Sequence, residues 1–463
     1  MKLLFLTASI SVVSALNGKV DTIHNSNYNP HGPSLYLKAL LKYNIEPKHP
    51  GALPLERLIP HVRHLKNNRR RAADKTNGNG LSPEEPEVEN GIDIYYLNPV
   101  TIGDGNTSQT FNLIFDTTNP DLWVFSDQLP PNEAGNNNHT LYKAGGTPTS
   151  KQVPSEVWTN LYSDGSGAGG FVYSDTINLG GISIPNAVVQ AANFTTSHWT
   201  DNPGDGILGL SLLPGTPGPQ DLPTTINQLA NNTDLELPVF TALLTRSTET
   251  PGFFTFGYIN ETVVPGKNVS FIRVVEDPNF QFVADWTFPS EFALLNGKRL
   301  NRTGNLAICD TALPVIFLDT VTADTIYKTI PGAKFSNVSQ GYIFPISNTQ
   351  FPTLTIPAGN TEIALQSKHD FILAPAPEDG FVYGSIQDGG GNVDILGVPW
   401  LNNVYAVFDL GMTGSKNFRF GVIQREPETK YSIRHVNAAT MDFDDRVADT
   451  KVSRFPRTLN QLI

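Results

Sequence analysis

Two short stretches of this 463-residue chain share one construction, and each ends on a carboxylate. The first reads Phe111-Asn112-Leu113-Ile114-Phe115-Asp116-Thr117-Thr118, and the second reads Leu306-Ala307-Ile308-Cys309-Asp310-Thr311-Ala312. In both, an apolar strand runs into Asp-Thr and a short residue. A further apolar run follows, Leu122 to Phe125 in one and Val315 to Leu318 in the other. A lone Asp-Thr pair says little, because a turn or a helix cap accounts for most of them. Two in duplicate settings, 194 residues apart, point to two related halves that each offer one loop to a shared cleft. Each half also carries a second element, Asp205-Gly206-Ile207-Leu208-Gly209 and Asp394-Ile395-Leu396-Gly397. There the glycine lets one backbone pass close beside another. Two carboxylates brought into contact are suited to general acid–base work. Like charges that close cannot both ionise, so one holds a proton while the other acts as base.

The elements that must position these acids read as strands. Glycine (39) and proline (35) are plentiful, 39% of residues are hydrophobic and 10% aromatic, which fits a globular chain of many short strands joined by turns. From Ile92 onward, short apolar or alternating runs lie between turn residues. Examples are Tyr95 to Ile102, Phe111 to Phe115, Phe171 to Leu179, Phe253 to Ile259 and Val404 to Leu410. Helical stretches are few, such as Thr225 to Leu229 and Val321 to Ile330. The length allows two or three domains.

The head of the chain differs from the body. Met1-Lys2, an apolar run from Leu3 to Val13 and the small residues Ser14 and Ala15 predict a signal peptide over 1–15, with a buried N-terminal strand as the alternative. The run is short for a membrane span and no later stretch is long enough, so no span is expected. From Leu16 to Arg71 there are ten Lys/Arg against three Asp/Glu, while the remainder carries 21 against 41. A basic head on an acidic body suggests intramolecular docking that weakens as carboxylates protonate; the plainer alternative is a basic linker. Pro33 to Arg71 carries helical periodicity in Leu35, Leu37, Leu40, Leu41, Leu55, Leu58, Ile59, Val62 and Leu65. It ends at Arg69-Arg70-Arg71, a site a processing protease could cut. Residues 72–90 read as a polar linker. N-x-S/T sequons at Asn106, Asn138, Asn193, Asn231, Asn260, Asn268, Asn301 and Asn337 support a secreted, extracellular glycoprotein. Cys309 is the only cysteine, so no internal disulfide can form. No zinc-ligand spacing, P-loop or dinucleotide fingerprint is present, so neither metal nor organic cofactor is expected.

Taken together the motifs resemble the pepsin-like aspartic proteases, close to the fungal penicillopepsin type. Phe115-Asp116-Thr117-Thr118-Asn119-Pro120-Asp121-Leu122-Trp123-Val124-Phe125-Ser126 resembles the first catalytic loop, and Leu161-Tyr162-Ser163-Asp164-Gly165-Ser166 with Gly169 resembles the flap. Asp205 to Leu210, Leu237 to Phe240, Phe254 to Gly257 and the Lys42-Tyr43 pair match further landmarks. The likeness spans residues 33–425. It implies an all-β, bilobal fold of two pseudo-symmetric, barrel-like lobes about a central cleft. The expected boundaries are a prosegment and linker over 16–89, an N-terminal lobe over 90–265, a C-terminal lobe over 266–425 and an unassigned extension over 426–463. It implies Asp116 and Asp310 as the catalytic pair, activating a water that attacks the peptide carbonyl at acid pH. Thr117 and Thr311 would cross-bond the loops. Tyr162 and Asp164 would belong to a flap over the substrate, with Trp123 behind Tyr162, unless Tyr162 and Trp123 are ordinary packed aromatics. Lys42 would approach both acids and neutralise them before activation. The partner would be a peptide or protein bound in extended form by a monomer, with no nucleic acid, given the acidic body.

The chain departs from the family's Asp-Thr-Gly loops. Thr118 and Ala312 stand where both glycines would be, Asn119 and Leu313 replace hydroxyl-bearing residues, and Val398 follows Gly397. A Cβ at the third position takes up space near the attacking water, and a lost hydroxyl removes a donor to a carboxylate. Three readings follow: an active acid endopeptidase with altered loops, an impaired homologue that binds peptides, and a secreted β protein unrelated to proteolysis.

Overall fold

The structure, a computed structural model, describes residues 17–24, 30–76, 96–131, 133, 139–161, 167–196, 203–213, 224–232, 235–263, 266, 269–275, 285–391, 393–411 and 417–425. The signal-peptide and C-terminal-extension readings fall outside them.

Each acid strand lies beside its own Ile-Leu-Gly element. Strand Gln109–Asp116 runs parallel to Gly206–Gly209, pairing Ile114 with Ile207 and Asp116 with Gly209. Gly206–Gly209 then runs antiparallel to Leu122–Phe125. In the other half, Leu306–Cys309 runs parallel to Val393–Leu396, which pairs antiparallel with Ile316–Leu318. The duplicate sequence is thus a duplicate topology: an acid strand and its continuation clamp a third strand between them. The crossing needs glycine. A Cβ on Gly209 would stand 2.3 Å from Asn119 O, and one on Gly397 would stand 2.2 Å from Leu313 O.

The first half builds an eight-stranded sheet, whose long outer hairpin is Gly167–Leu179 with Ile182–Thr195. A six-stranded sheet joins the halves. It takes Val239–Leu243 and Phe253–Phe256 from one side of the sequence, Ser270–Arg273 close behind, and Val404–Asp409 with Arg419–Gln424 from the far end. Phe240 and Phe408 of this sheet stack with ring centroids 4.5 Å apart, and Trp286, from outside the sheet, meets both rings edge-on. The strand expected to reach Ile259 stops at Phe256, because Gly257 turns the chain at φ +87.

The basic head docks on this body. Gly18–Asp21 is the sixth strand of that six-stranded sheet, at its edge, pairing with Phe253–Phe256. Helix α1 (Gly32–Lys42) starts at a helix-compatible proline, Pro33. Its apolar side, Leu35, Tyr36, Leu40 and Leu41, packs on Leu313, Val315, Phe317 and Tyr383 of the second half. Helix α2 (Leu55–Thr76) follows. The periodicity over 33–71 breaks between them, where Asn44 takes a left-handed φ of +48 and Pro47, Pro50 and Pro54 cannot continue a helix. The tribasic site falls in the backbone of α2. One sequon is corrected by the fold: Asn260 is 1% exposed and its side chain accepts from Thr262, so a glycan has no room there.

Gly397→Ala is expected to cost about 3 kcal/mol or to prevent folding. Gly391→Ala, whose nearest contact would be 3.7 Å away, is expected to be neutral. Thermal unfolding of the two variants checks the contrast.

Candidate active site

The two acid loops meet through their threonines. Thr117 N–H donates to Thr311 Oγ1 at 3.2 Å, and Thr311 N–H donates to Thr117 Oγ1 at 3.1 Å. Each hydroxyl passes its own proton across the divide, Thr117 to Cys309 O at 2.8 Å and Thr311 to Phe115 O at 2.7 Å. Both threonines are buried, so these donors have no water to fall back on. This reciprocal pair fixes the distance between the residues immediately before them, Asp116 and Asp310, which are 3% and 0% exposed.

Lys42, the last residue of α1, fills the space between the acids. Its Nζ lies 3.0 and 2.9 Å from the two oxygens of Asp116 and 2.9 Å from Asp310 Oδ2. Burial alone pulls the lysine's pKa down, but the two carboxylates outweigh it and the net shift is upward. Burial pushes the Asp310 carboxyl above its ordinary value, the charge of Asp116 pushes it further, and Lys42 acts the other way. Tyr43 joins from the side: its hydroxyl donates to Asp310 Oδ2 at 2.6 Å and stands 3.3 Å from Thr118 Oγ1.

The altered loop residues keep part of the cradle. Thr118 N–H and Ala312 N–H each donate to the Oδ1 of their own aspartate at 2.9 Å. Thr118 adds its hydroxyl to the same Asp116 oxygen, also at 2.9 Å. Asn119 turns to Asp121 N–H instead, and Leu313 packs under α1. Asp116 therefore receives two donors from its own loop and Asp310 one.

Two further acids precede the Ile-Leu-Gly elements, offset by one residue and with different partners: Asp205 lies just before Gly206, and Asp394 stands where the first half has Gly206. Asp205 accepts the backbone N–H of Asn112 and of Thr140, each at 2.8 Å. Asp394 accepts from Arg302 at 2.5 Å, and burial still pushes its pKa up to about 6. Asp285 lies between the halves in a left-handed conformation, φ +48, and accepts from Leu212 N–H at 3.3 Å. Burial pushes its pKa up to about 7.

Of the residues singled out in the sequence, the structure brings together Asp116, Asp310, Thr117, Thr311 and Lys42. Trp123 is buried on the neighbouring strand, its ring 5.8 Å from that of Trp158. Tyr162 and Asp164 lie outside the described residues. Three contributors were missed. Tyr43 enters the sequence reading only beside Lys42 as a family landmark, with no role of its own, Thr118 reads as a lost glycine rather than a gained hydroxyl, and Asp285 carries no motif. A signal existed only for Tyr43, adjacent to the lysine. Among the described residues no group of His, Cys, Asp and Glu could hold a metal ion, and no helix is long and apolar enough to cross a membrane.

Thr117→Val and Thr311→Val should each destabilise the chain by about 1–3 kcal/mol, because each strands a buried donor on the other loop. The double variant should lose less than the sum, by about 1–2 kcal/mol. Denaturant unfolding of the four proteins checks this, and additive losses would show that the loops do not depend on each other.

Comparison with known proteins agrees with this geometry. A family model described as eukaryotic aspartyl protease matches residues 95–416. Aspergillopepsin-1 of Aspergillus flavus is 31% identical over 383 residues, covering 81% of this chain and 84% of that protein. Endothiapepsin of Cryphonectria parasitica is 28% identical over 399 residues, 86% of this chain and 88% of its own. Penicillopepsin-1 of Penicillium rubens is 31% identical over 333 residues, 71% and 77% of the two chains. With the match covering the whole two-loop body, the chain belongs to the eukaryotic aspartyl protease family.

Proposed function

We propose that this chain is a secreted aspartic endopeptidase made as a zymogen, in which residues 16–71 block the cleft until acid loosens them. The observation that carries this reading is the position of Lys42 Nζ, within 3.0 Å of carboxylate oxygens from both halves of the sequence. A cation there neutralises the pair and takes the place where a water would stand. With the lysine gone, two buried carboxylates on cross-bonded loops must share a proton. Asp116, with two donors from its own loop, takes the charge and acts as base toward the water. Asp310, with one donor and a pKa raised by burial, keeps the proton and gives it to the peptide carbonyl. The resulting gem-diol then collapses as the C–N bond breaks: the leaving nitrogen takes the proton held on Asp116, one hydroxyl returns its proton to Asp310, and no covalent enzyme intermediate is needed. α1 covers an apolar face containing Leu313, Val315, Phe317 and Ile395, which favours apolar substrate side chains once α1 leaves.

A second reading, a peptide-binding homologue of low turnover, is favoured by one feature. The hydroxyl that bonds Asp116 belongs to Thr118, which also brings a Cβ and a methyl group to the loop. Assay on denatured casein across pH 3–5, with Asp116→Asn as control, decides between them. Cleavage lost in Asp116→Asn supports the endopeptidase. Uptake of a statine-type analogue without cleavage supports the binder.

The pH dependence has a definite sign. Lys42 lowers the pKa of Asp310 relative to the same cleft without it, so docking adds stability above the undocked value and loses it as pH falls through the docked one. Burial holds that docked value above the ordinary carboxylate range, so release should set in at milder acid than an unshifted carboxylate would need. A statine-type analogue should accordingly bind the full-length chain weakly at pH 7 and at least tenfold tighter near pH 4. Lys42→Met should remove most of that difference by raising affinity at pH 7. Calorimetric titration at both pH values checks it, and an unchanged ratio in Lys42→Met would place the block elsewhere.

A further inference from the structure

The docked head is held at a second point, away from the paired acids. Asp388 is fully buried on strand Ile386–Asp388. Its Oδ1 is satisfied from within its own half, by Thr320 Oγ1 at 2.7 Å and Gly390 N–H at 2.9 Å. Its Oδ2 accepts two consecutive backbone N–H groups of the head, Lys48 at 2.8 Å and His49 at 2.6 Å. No ion pair to Asp388 occurs among the described residues. The charge is therefore met by neutral donors, half of which belong to a segment that leaves when the head leaves.

The ring of His49 completes the contact. It stacks on Phe335 with centroids 3.8 Å apart and planes 15° apart, and meets Tyr342 edge-on at 5.5 Å. Gly51 N–H donates to His49 Nδ1 at 3.0 Å, which requires the neutral ring with its proton on Nε2. Burial lowers the pKa of His49 from 6.5, against the pull of Asp324 and Asp388. Two residues further on, Gly51 passes so close that a Cβ would stand 3.1 Å from the Phe335 ring. Leu53 N–H then donates to Gln340 Oε1 at 2.7 Å. The receiving surface is thus a carboxylate oxygen, an aromatic slot and an amide acceptor in a row.

We propose that Asp388, Phe335 and Tyr342 form a peptide-binding subsite of the C-terminal half, separate from the paired acids. It takes two consecutive backbone N–H groups and a flat, uncharged ring on the second residue. In this chain Lys48-His49 occupies it. Resting on the reading of the head as removable, the subsite passes to an outside peptide with a ring at that position once the head has gone. A buried carboxylate oxygen stripped of two donors then seeks N–H groups, and the bare faces of Phe335 and Tyr342 select a planar side chain.

The test needs no catalysis, so it stands or falls apart from the endopeptidase reading. Amide hydrogen exchange on the full-length chain at neutral pH compares residues 46–53 with α1 and the body. In Asp388→Asn and in His49→Ala, exchange over 46–53 should speed up about tenfold or more, with α1 and the body protected as before. His49→Phe should keep the protection, and Lys42→Met should leave 46–53 unchanged. Unaltered exchange in Asp388→Asn overturns the proposal, as does α1 opening together with 46–53 in every variant, or His49→Phe losing as much as His49→Ala. A labelled peptide copying residues 44–55, titrated onto full-length His49→Ala, should bind saturably, and the added Asp388→Asn change should abolish this. Absence of saturable binding overturns use of the subsite by an outside peptide.

Discussion

Two like charges buried side by side are unstable unless something between them is positive or shared, and the rest of this molecule follows from that constraint. Asp116 and Asp310 are almost without exposure and sit at the tips of loops tied by reciprocal threonine bonds. The tie removes the easy escape, which would be for the loops to part. What remains is a cation or a proton. In the structure Lys42 supplies the cation, and even so the pKa of Asp310 stays raised, chiefly by burial and further by the charge of Asp116.

The constraint also explains why the head docks in several places. An ammonium group alone would lose its hold as soon as one carboxylate took a proton. The edge strand Gly18–Asp21, the apolar side of α1 and the Asp388 contact do not depend on the charge of the pair. The head is thus positioned by hydrophobic and backbone interactions as well as by the ion pairs of Lys42 with Asp116 and Asp310.

Much of this was legible in the sequence, for identifiable reasons. The acids could be read because duplication repeats a pattern, and an apolar strand ending in Asp-Thr twice is hard to produce by chance. Docking of the head could be read because ten basic residues crowd a short head on an acidic body, and Lys42 in particular because the Lys42-Tyr43 pair resembles a family landmark. The Ile-Leu-Gly elements announced a close crossing through their glycines, and the strands paired where the apolar runs lay. Asp388 was invisible because its partners are backbone N–H groups, which any residue type supplies. Asp285 was invisible for a related reason. Its carboxylate accepts a backbone N–H across a distance of 73 residues, and no local pattern encodes that. The break between α1 and α2 was obscured because periodic leucines continue on both sides of it, although three prolines and Asn44 mark the interruption.

The loop substitutions bear on the symmetry of the pair. Loops with matching third residues would treat both acids alike, and the shared proton would then be placed by substrate alone. Here the first loop offers Asp116 an N–H and a hydroxyl, while the second offers Asp310 an N–H only. A charged carboxylate gains more from each donor than a neutral one does, so the extra hydroxyl biases the negative charge toward Asp116. The hydroxyl arrives with a Cβ and a methyl group that a glycine would not bring to the loop. Thr118 thus orders the charge at the expense of space, and Ala312 gives up space without adding a donor. The asymmetry is built into the two loops themselves, before any substrate binds.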